Sequence, residues 1–353
     1  MSLVPAFPLH GGPDALGVPL HDFSTNANAC GPCPAALAAL AQADRSRYPD
    51  PAYTALTGAL AAFHGVAPDR IVLAASASEF IHRITALARQ RGVPQALLPA
   101  HGYGDYARAA EVWGLRVEHT ADPDRLQGHH GAARLHWACE PSSPLGAEDA
   151  ALDAWAGAPG AAWRVLDRAY APLQLHGPAR PPPEGAWQLM SPNKALGLTG
   201  VRAAYAIAPQ ATVADGAAAR LRALAPSWPV GADGVALLAT WVGEEAQRWL
   251  ALSLATLRDW KAQQLALCQA LGWQVVPGSR ANFFTARLSQ GVPAGALLPA
   301  LRAHGVKLRD CASFGLPGHV RLGVLPPASQ HALRQAWQVW SAGGAPGHGY
   351  HPA

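Results

Sequence analysis

The chain has 353 residues, half of them hydrophobic and 14% charged, which is a globular composition and excludes a disordered chain. Its formal net charge of +4 is spread thinly, and no Lys/Arg block indicates a nucleic-acid or membrane partner. With no basic leader, no apolar run of ~18 residues and five mostly scattered cysteines, we expect a cytoplasmic protein with reduced thiols.

Along the chain, residues 1–30 are rich in Gly, Pro and Asn and predict an irregular arm. Two helices are expected next, over 34–43, with Pro34 in its first turn, and over 52–66, ending at Gly65. Short apolar runs then alternate with helical patterns, which predicts a mostly parallel α/β sheet. The predicted strands are 70–74, 95–100, 115–120, 133–138, 163–167, 186–190 and 202–208, and the helices between them are 78–91, 103–113 and 147–156.

The C-terminal part of the chain has a different pattern. Residues 217–272 predict long helices, and the remainder mixes short strands with helices in the manner of a smaller α+β domain. The predicted elements of that domain are strands 282–288 and 319–325 and helices 294–304 and 327–340. We expect an N-terminal arm over 1–44 that packs on the small domain, a large domain over 45–240, a small domain over 241–340 and a loose tail over 341–353.

The most specific local signal is S-P-N-K-A-L-G-L-T-G-V-R at residues 191–202. Lys194 lies among apolar and small residues, where desolvation lowers the pKa of an amine and favours the neutral form. A neutral amine can form a Schiff base with a carbonyl compound. Ser191 and Arg202, on either side, can both bind one phosphate group. The alternative is an ordinary surface lysine in a Gly-rich loop.

Three further motifs suit an aromatic, phosphorylated cofactor. Asp167 ends an apolar strand, where open α/β sheets bind ligands, and can pair with a protonated ring nitrogen while Tyr170 donates to a phenolic oxygen. Backbone N–H groups at Ala77 and Ser78, where a strand turns into a helix, can bind phosphate. Tyr103, flanked by glycines, can lie against an aromatic ring. Taken singly, each also suits a structural role: a turn cap, a helix cap or a core tyrosine.

In this order the four motifs resemble fold-type I pyridoxal 5′-phosphate (PLP) enzymes, the aspartate aminotransferase superfamily, over residues 20–340. The S-x-x-K-x-x-G-x-x-G-x-R arrangement carries most of the resemblance, and D-x-A-Y at 167–170 supports it. The resemblance implies an α/β, PLP-dependent transferase type I fold: a large domain with a mostly parallel sheet, and a smaller α+β C-terminal domain. It also implies a homodimer in which Lys194 holds PLP as a Schiff base.

Within that superfamily the chain is similar to the branch of histidinol-phosphate aminotransferase and the threonine-phosphate decarboxylases of cobalamin biosynthesis. The segments that carry this similarity are 22–37, 47–66 and 306–324. The run R-D-C-A-S-F-G within the last segment is most like the decarboxylases. The resemblance implies that Tyr48 reaches the cofactor phosphate of the partner subunit, that Arg321 binds the substrate carboxylate and that Asn26 lies near the substrate.

Some residues depart from the family pattern. E-P-S-S-P-L-G takes the place of N-P-N-N-P-T-G, so Ser143 stands where the family has an asparagine that contacts the cofactor's phenolic oxygen. Arg168 stands where the family usually has Glu. The tetrapeptide at 30–33, C-G-P-C, matches thioredoxins, but no apolar strand precedes it, so we discount a redox role. The histidines lack zinc-site spacing, and no metal is expected.

The sequence therefore predicts an enzyme with a small-molecule substrate, an amino acid or phosphoamino acid, and with Lys194, Asp167 and Tyr170 as catalytic residues. The favoured reaction is decarboxylation of L-threonine O-3-phosphate. The alternative is an aminotransferase acting on histidinol phosphate or a related amino acid. The serine at position 143 also leaves open a non-catalytic PLP-fold binding protein.

Overall fold

The computed structural model describes residues 10–121, 133–156 and 163–343, so most of the predicted tail lies outside the described residues. The described helices are α1 (Pro34–Gln42), α2 (Thr54–His64), α3 (Ala77–Gln90), α4 (Gly104–Val112), α5 (Ala151–Ala156), α6 (Gln210–Ala214), α7 (Ala217–Ala223), α8 (Ala232–Trp241), α9 (Glu244–Ala270), α10 (Ala294–Ala303) and α11 (Pro327–Ala342). The strands are β1 (His21–Asp22), β2 (Ile71–Ala74), β3 (Gln95–Pro99), β4 (Arg116–Thr120), β5 (Arg134–Cys139), β6 (Trp163–Asp167), β7 (Ala186–Met190), β8 (Ala204–Ile207), β9 (Gln274–Val275), β10 (Phe283–Arg287), β11 (Val306–Lys307), β12 (Arg309–Asp310) and β13 (His319–Gly323).

The larger sheet has seven strands in the order β2-β8-β7-β6-β5-β3-β4. Only β8 runs antiparallel to its neighbours, so the predicted mostly parallel sheet is confirmed. The middle strands are almost entirely buried, as apolar strands covered by helices on both faces must be. Because β5, β6 and β7 are parallel, the residues that follow each of them meet at one edge of the sheet.

Apolar side chains pack on both faces of this sheet. On one face, Phe80 of α3 packs in the same buried cluster as Trp137 and Trp187 of the strands. On the other face, residues of α2 and α8 pack against Tyr205 of β8. Helix α2 ends at Gly65 with φ +63°, as the sequence predicted, because glycine adopts this left-handed conformation without strain.

A second sheet lies in the C-terminal part, with four antiparallel strands in the order β12-β13-β10-β9. The helices α9, α10 and α11 supply the apolar residues of its buried cluster, which also includes Phe23 of the N-terminal segment. Strand β1 pairs in parallel with β11, with His21 opposite Val306. The N-terminal segment is thus joined to the C-terminal part of the chain by backbone hydrogen bonds.

Two helix predictions were wrong in extent. The helix expected over 147–156 begins only at Ala151, because the Asp149 side chain accepts hydrogen bonds from the N–H groups of Cys139 and Ala151 and holds a turn there. The long helical region of 217–272 is three helices, and Gly243 interrupts it between α8 and α9. No helix in the described ranges combines the length and the apolar character needed to cross a membrane.

Candidate active site

A cavity of about 490 Å³ lies at the edge where β5, β6 and β7 end, against residues of the smaller sheet. Every site residue predicted from the sequence lines this cavity except Tyr48. Those in the cavity are Asn26, Ala77, Ser78, Tyr103, Ser143, Asp167, Tyr170, Ser191, Lys194, Arg202 and Arg321.

Lys194 lies in the loop that follows β7. The N-terminal segment holds this loop, because the N–H of Asn28 donates to the carbonyl of Lys194 and the N–H of Cys33 donates to that of Leu196, both at 2.9 Å. Burial lowers the pKa of the Lys194 amine, while the carboxylate of Asp167 opposes the shift. The amine nitrogen is 5.6 Å from the ring centre of Tyr170. The site therefore favours the neutral amine more than water does.

Asp167 ends β6 and is only 5% exposed. Its Oδ2 accepts a hydrogen bond from the hydroxyl of Tyr106 at 2.6 Å, and its Oδ1 accepts one from the N–H of Ala169 at 2.9 Å. Burial raises the pKa of this carboxyl, and the two hydrogen bonds oppose that shift. Tyr106 was not predicted as a site residue, although it lies in the first turn of α4, three residues after Tyr103, and the two ring centres are 5.8 Å apart.

One end of the cavity is suited to an anion. Ala77 and Ser78 begin α3, where backbone N–H groups have no intrahelical acceptor and the helix dipole favours negative charge. The Ser78 hydroxyl lies 3.1 Å from the hydroxyl of Tyr103, and burial raises the pKa of that phenol, so it remains a protonated donor. Ser191 and the exposed Arg202 add a hydroxyl and a guanidinium.

Arg321 and Arg309 form a second positive region. They are directly opposite each other in the antiparallel pair of β12 and β13, and each is 7% exposed. Arg321 donates from Nη1 to the Ser143 hydroxyl at 3.1 Å and from Nη2 to the carbonyl of Ser24 at 2.9 Å. Burial, and then the charge of Arg321, lower the pKa of Arg309. Arg309 begins the R-D-C-A-S-F-G run but was not predicted as a site residue.

Two further residues line the cavity: Asn26, which was predicted from the sequence, and His10, which was not. Asn26 is 3% exposed, and within the described residues neither Nδ2 nor Oδ1 of its side chain has a hydrogen-bond partner. An unpaired buried amide costs ~1–3 kcal/mol, and a polar group of a ligand in the cavity would offset that cost. His10 was not predicted from the sequence, yet it also lines the cavity, with its ring centre 6.1 Å from that of Tyr103.

Tyr48 lies apart from this cavity and is 76% exposed. Its ring stacks on Trp228 with centres 4.2 Å apart. Both Tyr48 and Arg202 line a neighbouring cavity of about 390 Å³, so Arg202 stands between the two cavities. The expectation that Tyr48 serves a partner subunit stays a prediction.

A family model described as aminotransferase class I and II matches residues 18–338. The chain belongs to this family. Histidinol-phosphate aminotransferase from Symbiobacterium thermophilum is 28% identical over 94% of both chains. The enzyme of that name from Paracoccus denitrificans is 30% identical over 87% of this chain and 85% of its own.

Solved structures of the aminotransferase family share the fold. Histidinol-phosphate aminotransferase from Sinorhizobium meliloti, in complex with PLP, superposes with a TM-score of 0.76 at 21% identity and covers 91% of this chain and 90% of its own. L-Threonine-O-3-phosphate decarboxylase from Porphyromonas gingivalis superposes with a TM-score of 0.74 at 21% identity and covers 91% of this chain and 99% of its own. At this identity the structures show the fold alone.

Family membership confirms the predicted fold class, the enzymatic nature of the protein and PLP as its cofactor. It therefore disfavours the alternative of a non-catalytic binding protein. The donors present fit PLP. The amine of Lys194 and the carboxylate of Asp167 lie in one cavity, with the anion-binding end at α3 and the unpartnered amide of Asn26 in the same space. The hydroxyl at position 143 accepts a hydrogen bond from Arg321, so the residue that departs from the family pattern contacts this guanidinium.

Proposed function

We propose that this enzyme acts at the α-carbon of a phosphorylated amino acid, and that it decarboxylates L-threonine O-3-phosphate to (R)-1-amino-2-propanol phosphate and CO₂. The proposal includes a homodimer, a cytoplasmic location and a role in cobalamin biosynthesis. The observation that carries it is the pair Arg309 and Arg321, which face each other in the cavity that contains Lys194. The likeness of R-D-C-A-S-F-G to the decarboxylases supports the choice of reaction.

Two guanidinium groups on directly opposite strand positions repel each other, because like charges at such positions are destabilising. A substrate with both a phosphate and a carboxylate offsets that repulsion, since a guanidinium matches either group in charge and geometry. Arg321 already has two of its donors engaged, by Ser143 and Ser24, which fixes its orientation before substrate arrives. A pair of this kind suits a substrate with two anionic groups.

The proposal assigns the cofactor to the residues at the sheet edge. When bound, PLP supplies an electron sink for the bond that breaks at the substrate's α-carbon. Asp167 would pair with the ring nitrogen, and Lys194 would be the residue of covalent attachment. The other cofactor-binding residues of the proposal are Tyr103 against the ring, Tyr170 and Ser143 near the phenolic oxygen, Ala77, Ser78, Ser191 and Arg202 around the phosphate, and Tyr48 contributed by a second copy of the chain.

The protein residues decide which bond breaks. Arg321 holds the carboxylate, Arg309 holds the phosphate, and Asn26 contacts the substrate, so together they orient the α-carbon in the cavity. In decarboxylation the bond from the α-carbon to the carboxylate breaks, CO₂ leaves, and a proton takes its place. Lys194 is suited to relay that proton, because its amine lies in the same cavity and burial lowers its pKa. The neutral Nζ can take a proton from the substrate's ammonium group, and the resulting ammonium can then donate it to the α-carbon.

Amino transfer from histidinol phosphate is the second candidate. The relatives from Symbiobacterium thermophilum and Paracoccus denitrificans are both named histidinol-phosphate aminotransferase, and each covers most of this chain. In that reaction Lys194 removes a proton from the α-carbon instead of adding one. In both candidate reactions Arg309 binds the phosphate, so the remaining groups of the substrate distinguish the two reactions.

The deciding experiment supplies the purified holoenzyme with O-phosphothreonine and measures CO₂ and aminopropanol phosphate. A parallel assay supplies histidinol phosphate with 2-oxoglutarate and measures glutamate. We expect CO₂ release in the first assay and loss of both activity and the visible cofactor absorption band in Lys194→Ala. Glutamate formation without CO₂ release assigns the second function and overturns the first.

A further inference from the structure

We propose that His101 is a positioning residue for the substrate-anion site, acting through Phe314 on both Arg309 and Arg321. This inference rests on the proposed function, in which those two arginines hold the substrate's anionic groups. His101 itself does not line the described cavity, whereas Phe314 and both arginines do. Its effect on substrate is therefore indirect.

The contact joins the two sheets. Nδ1 of His101 lies 2.7 Å from the carbonyl oxygen of Phe314. His101 is in the loop between β3 and α4, and Phe314 is in the turn between β12 and β13. A carbonyl oxygen only accepts hydrogen bonds, so Nδ1 must carry the proton, which fixes the tautomer of the neutral ring. A partly buried imidazole thus ties the edge of the large sheet to one turn of the small sheet.

That turn supports both arginines. The ring centre of Phe314 is 4.8 Å from Cζ of Arg309 and 5.7 Å from Cζ of Arg321. The next residue back along the turn, Ser313, accepts a hydrogen bond from Nη2 of Arg309 at 2.7 Å. Any movement of the turn therefore shifts the ring of Phe314 relative to both guanidinium groups. The attraction between a cation and an aromatic face depends on their separation.

The glycine that follows Phe314 lies beside the imidazole. Gly315 has φ +78°, and a methyl group at its Cα would lie 3.6 Å from Nδ1 of His101, which is ordinary van der Waals contact. The turn therefore lies next to the ring, and the glycine provides the left-handed conformation that the turn adopts there. Truncating His101 removes both the hydrogen bond and this packing surface, and the turn then has no tie to the loop after β3 at this point.

The experiment measures anion binding and turnover separately in His101→Ala holoenzyme. We expect the dissociation constant of inorganic phosphate, followed by titration calorimetry, and the KM for O-phosphothreonine to rise about five- to tenfold, with kcat changed less than about twofold. His101→Asn should restore most of the loss, because its amide nitrogen occupies about the position of Nδ1. Retention of PLP should be unchanged.

His119→Ala is the matched control. Nδ1 of His119 also bonds a carbonyl, that of Pro99 at 3.0 Å, but the residue is exposed and the contact stays within the large sheet. Equal phosphate affinity in wild type and His101→Ala, or no phosphate binding by the wild type, overturns the inference. If phosphate binding weakens only in His101→Ala while the wild type releases no CO₂, the inference holds and the proposed reaction is the part that fails.

Discussion

The hydroxyl of Tyr106 donates to Oδ2 of Asp167 at 2.6 Å inside a buried part of the active site. This bond lowers the pKa of Asp167 against the opposing effect of burial. In Tyr106→Phe the carboxyl loses one of the two hydrogen bonds that it accepts from the protein, so its pKa should rise. We expect the acidic limb of the kcat profile to move to higher pH and kcat to fall about tenfold.

Tyr205→Phe is the control for this change. It also removes a buried hydroxyl, which bonds to His64 at 2.7 Å outside the cavity. It should lower the stability of the fold and leave the acidic limb in place. If both variants show the same profile as the wild type, the role given to Tyr106 is wrong.

The order of elements was predictable because local patterns determine it. Each strand of the large sheet is a short apolar run bounded by turn residues, and the observed ends differ from the predicted ones by at most two residues. The spatial order was not predictable, since nothing local in the apolar run 204–207 says that β8 runs antiparallel between β2 and β7.

The site residues likewise divide into those that a local pattern predicts and those that only tertiary packing brings into the site. Lys194 and Asp167 carry recognisable spacing, whereas Tyr106 reaches Asp167 only because α4 packs against the sheet. Arg309 was within reach of sequence reasoning, because it precedes Arg321 by twelve residues in a run already singled out, but the register that makes the two residues partners comes from strand pairing. The sequence alone could not predict which of these residues lie next to each other.

Ser143 offers a test of how the site is adapted to its departure from the family pattern. Its hydroxyl is the acceptor for Nη1 of Arg321 at 3.1 Å. In Ser143→Ala this nitrogen loses its partner, and Nε of Arg321 already has none in the described part of the chain. We expect KM for the anionic substrate to rise about five- to tenfold with a smaller change in kcat.

The neighbouring Ser142→Ala serves as the comparison, because Ser142 does not line the cavity. Its steady-state constants should match those of the wild type. A fall in kcat at unchanged KM in Ser143→Ala would mean that the hydroxyl acts on the reacting groups and not on Arg321.

His136 should make the fold sensitive to acid. It is 3% exposed on β5, and its Nδ1 accepts a hydrogen bond from Trp155 at 3.0 Å, so the neutral ring carries its proton on Nε2. Burial, and then the charges of Arg164 and Arg134, lower its pKa from 6.5 to about 3. The folded state therefore binds fewer protons than the unfolded state, and stability is lost as the pH falls from 6.5 towards 3.

Urea unfolding at pH 7 and pH 4.5 measures this effect. His136 alone should contribute a loss of about 2–3 kcal/mol over that interval. In His136→Asn, whose side-chain oxygen can still accept from Trp155, the loss should shrink by this amount. The exposed His304→Asn should keep the wild-type dependence, and an unchanged dependence in His136→Asn would refute the assignment.

Gly197 connects the lysine loop to the N-terminal segment, in which Gly31 belongs to the C-G-P-C run. Its φ is +69°, and a Cβ at this position would lie 2.6 Å from the carbonyl oxygen of Gly31 and 3.2 Å from that of Asn28. Gly197→Ala must push the two segments apart, and Asn28 then loses its hold on the carbonyl of Lys194. We expect a loss of at least ~2 kcal/mol in unfolding free energy and faster release of PLP on dialysis.

Gly295→Ala is the control. Gly295 lies in helix α10 with nothing within 4 Å of the added methyl group, so this change should be neutral or stabilising by up to ~1 kcal/mol. Equal PLP retention in both variants would show that the glycine contact does not position Lys194.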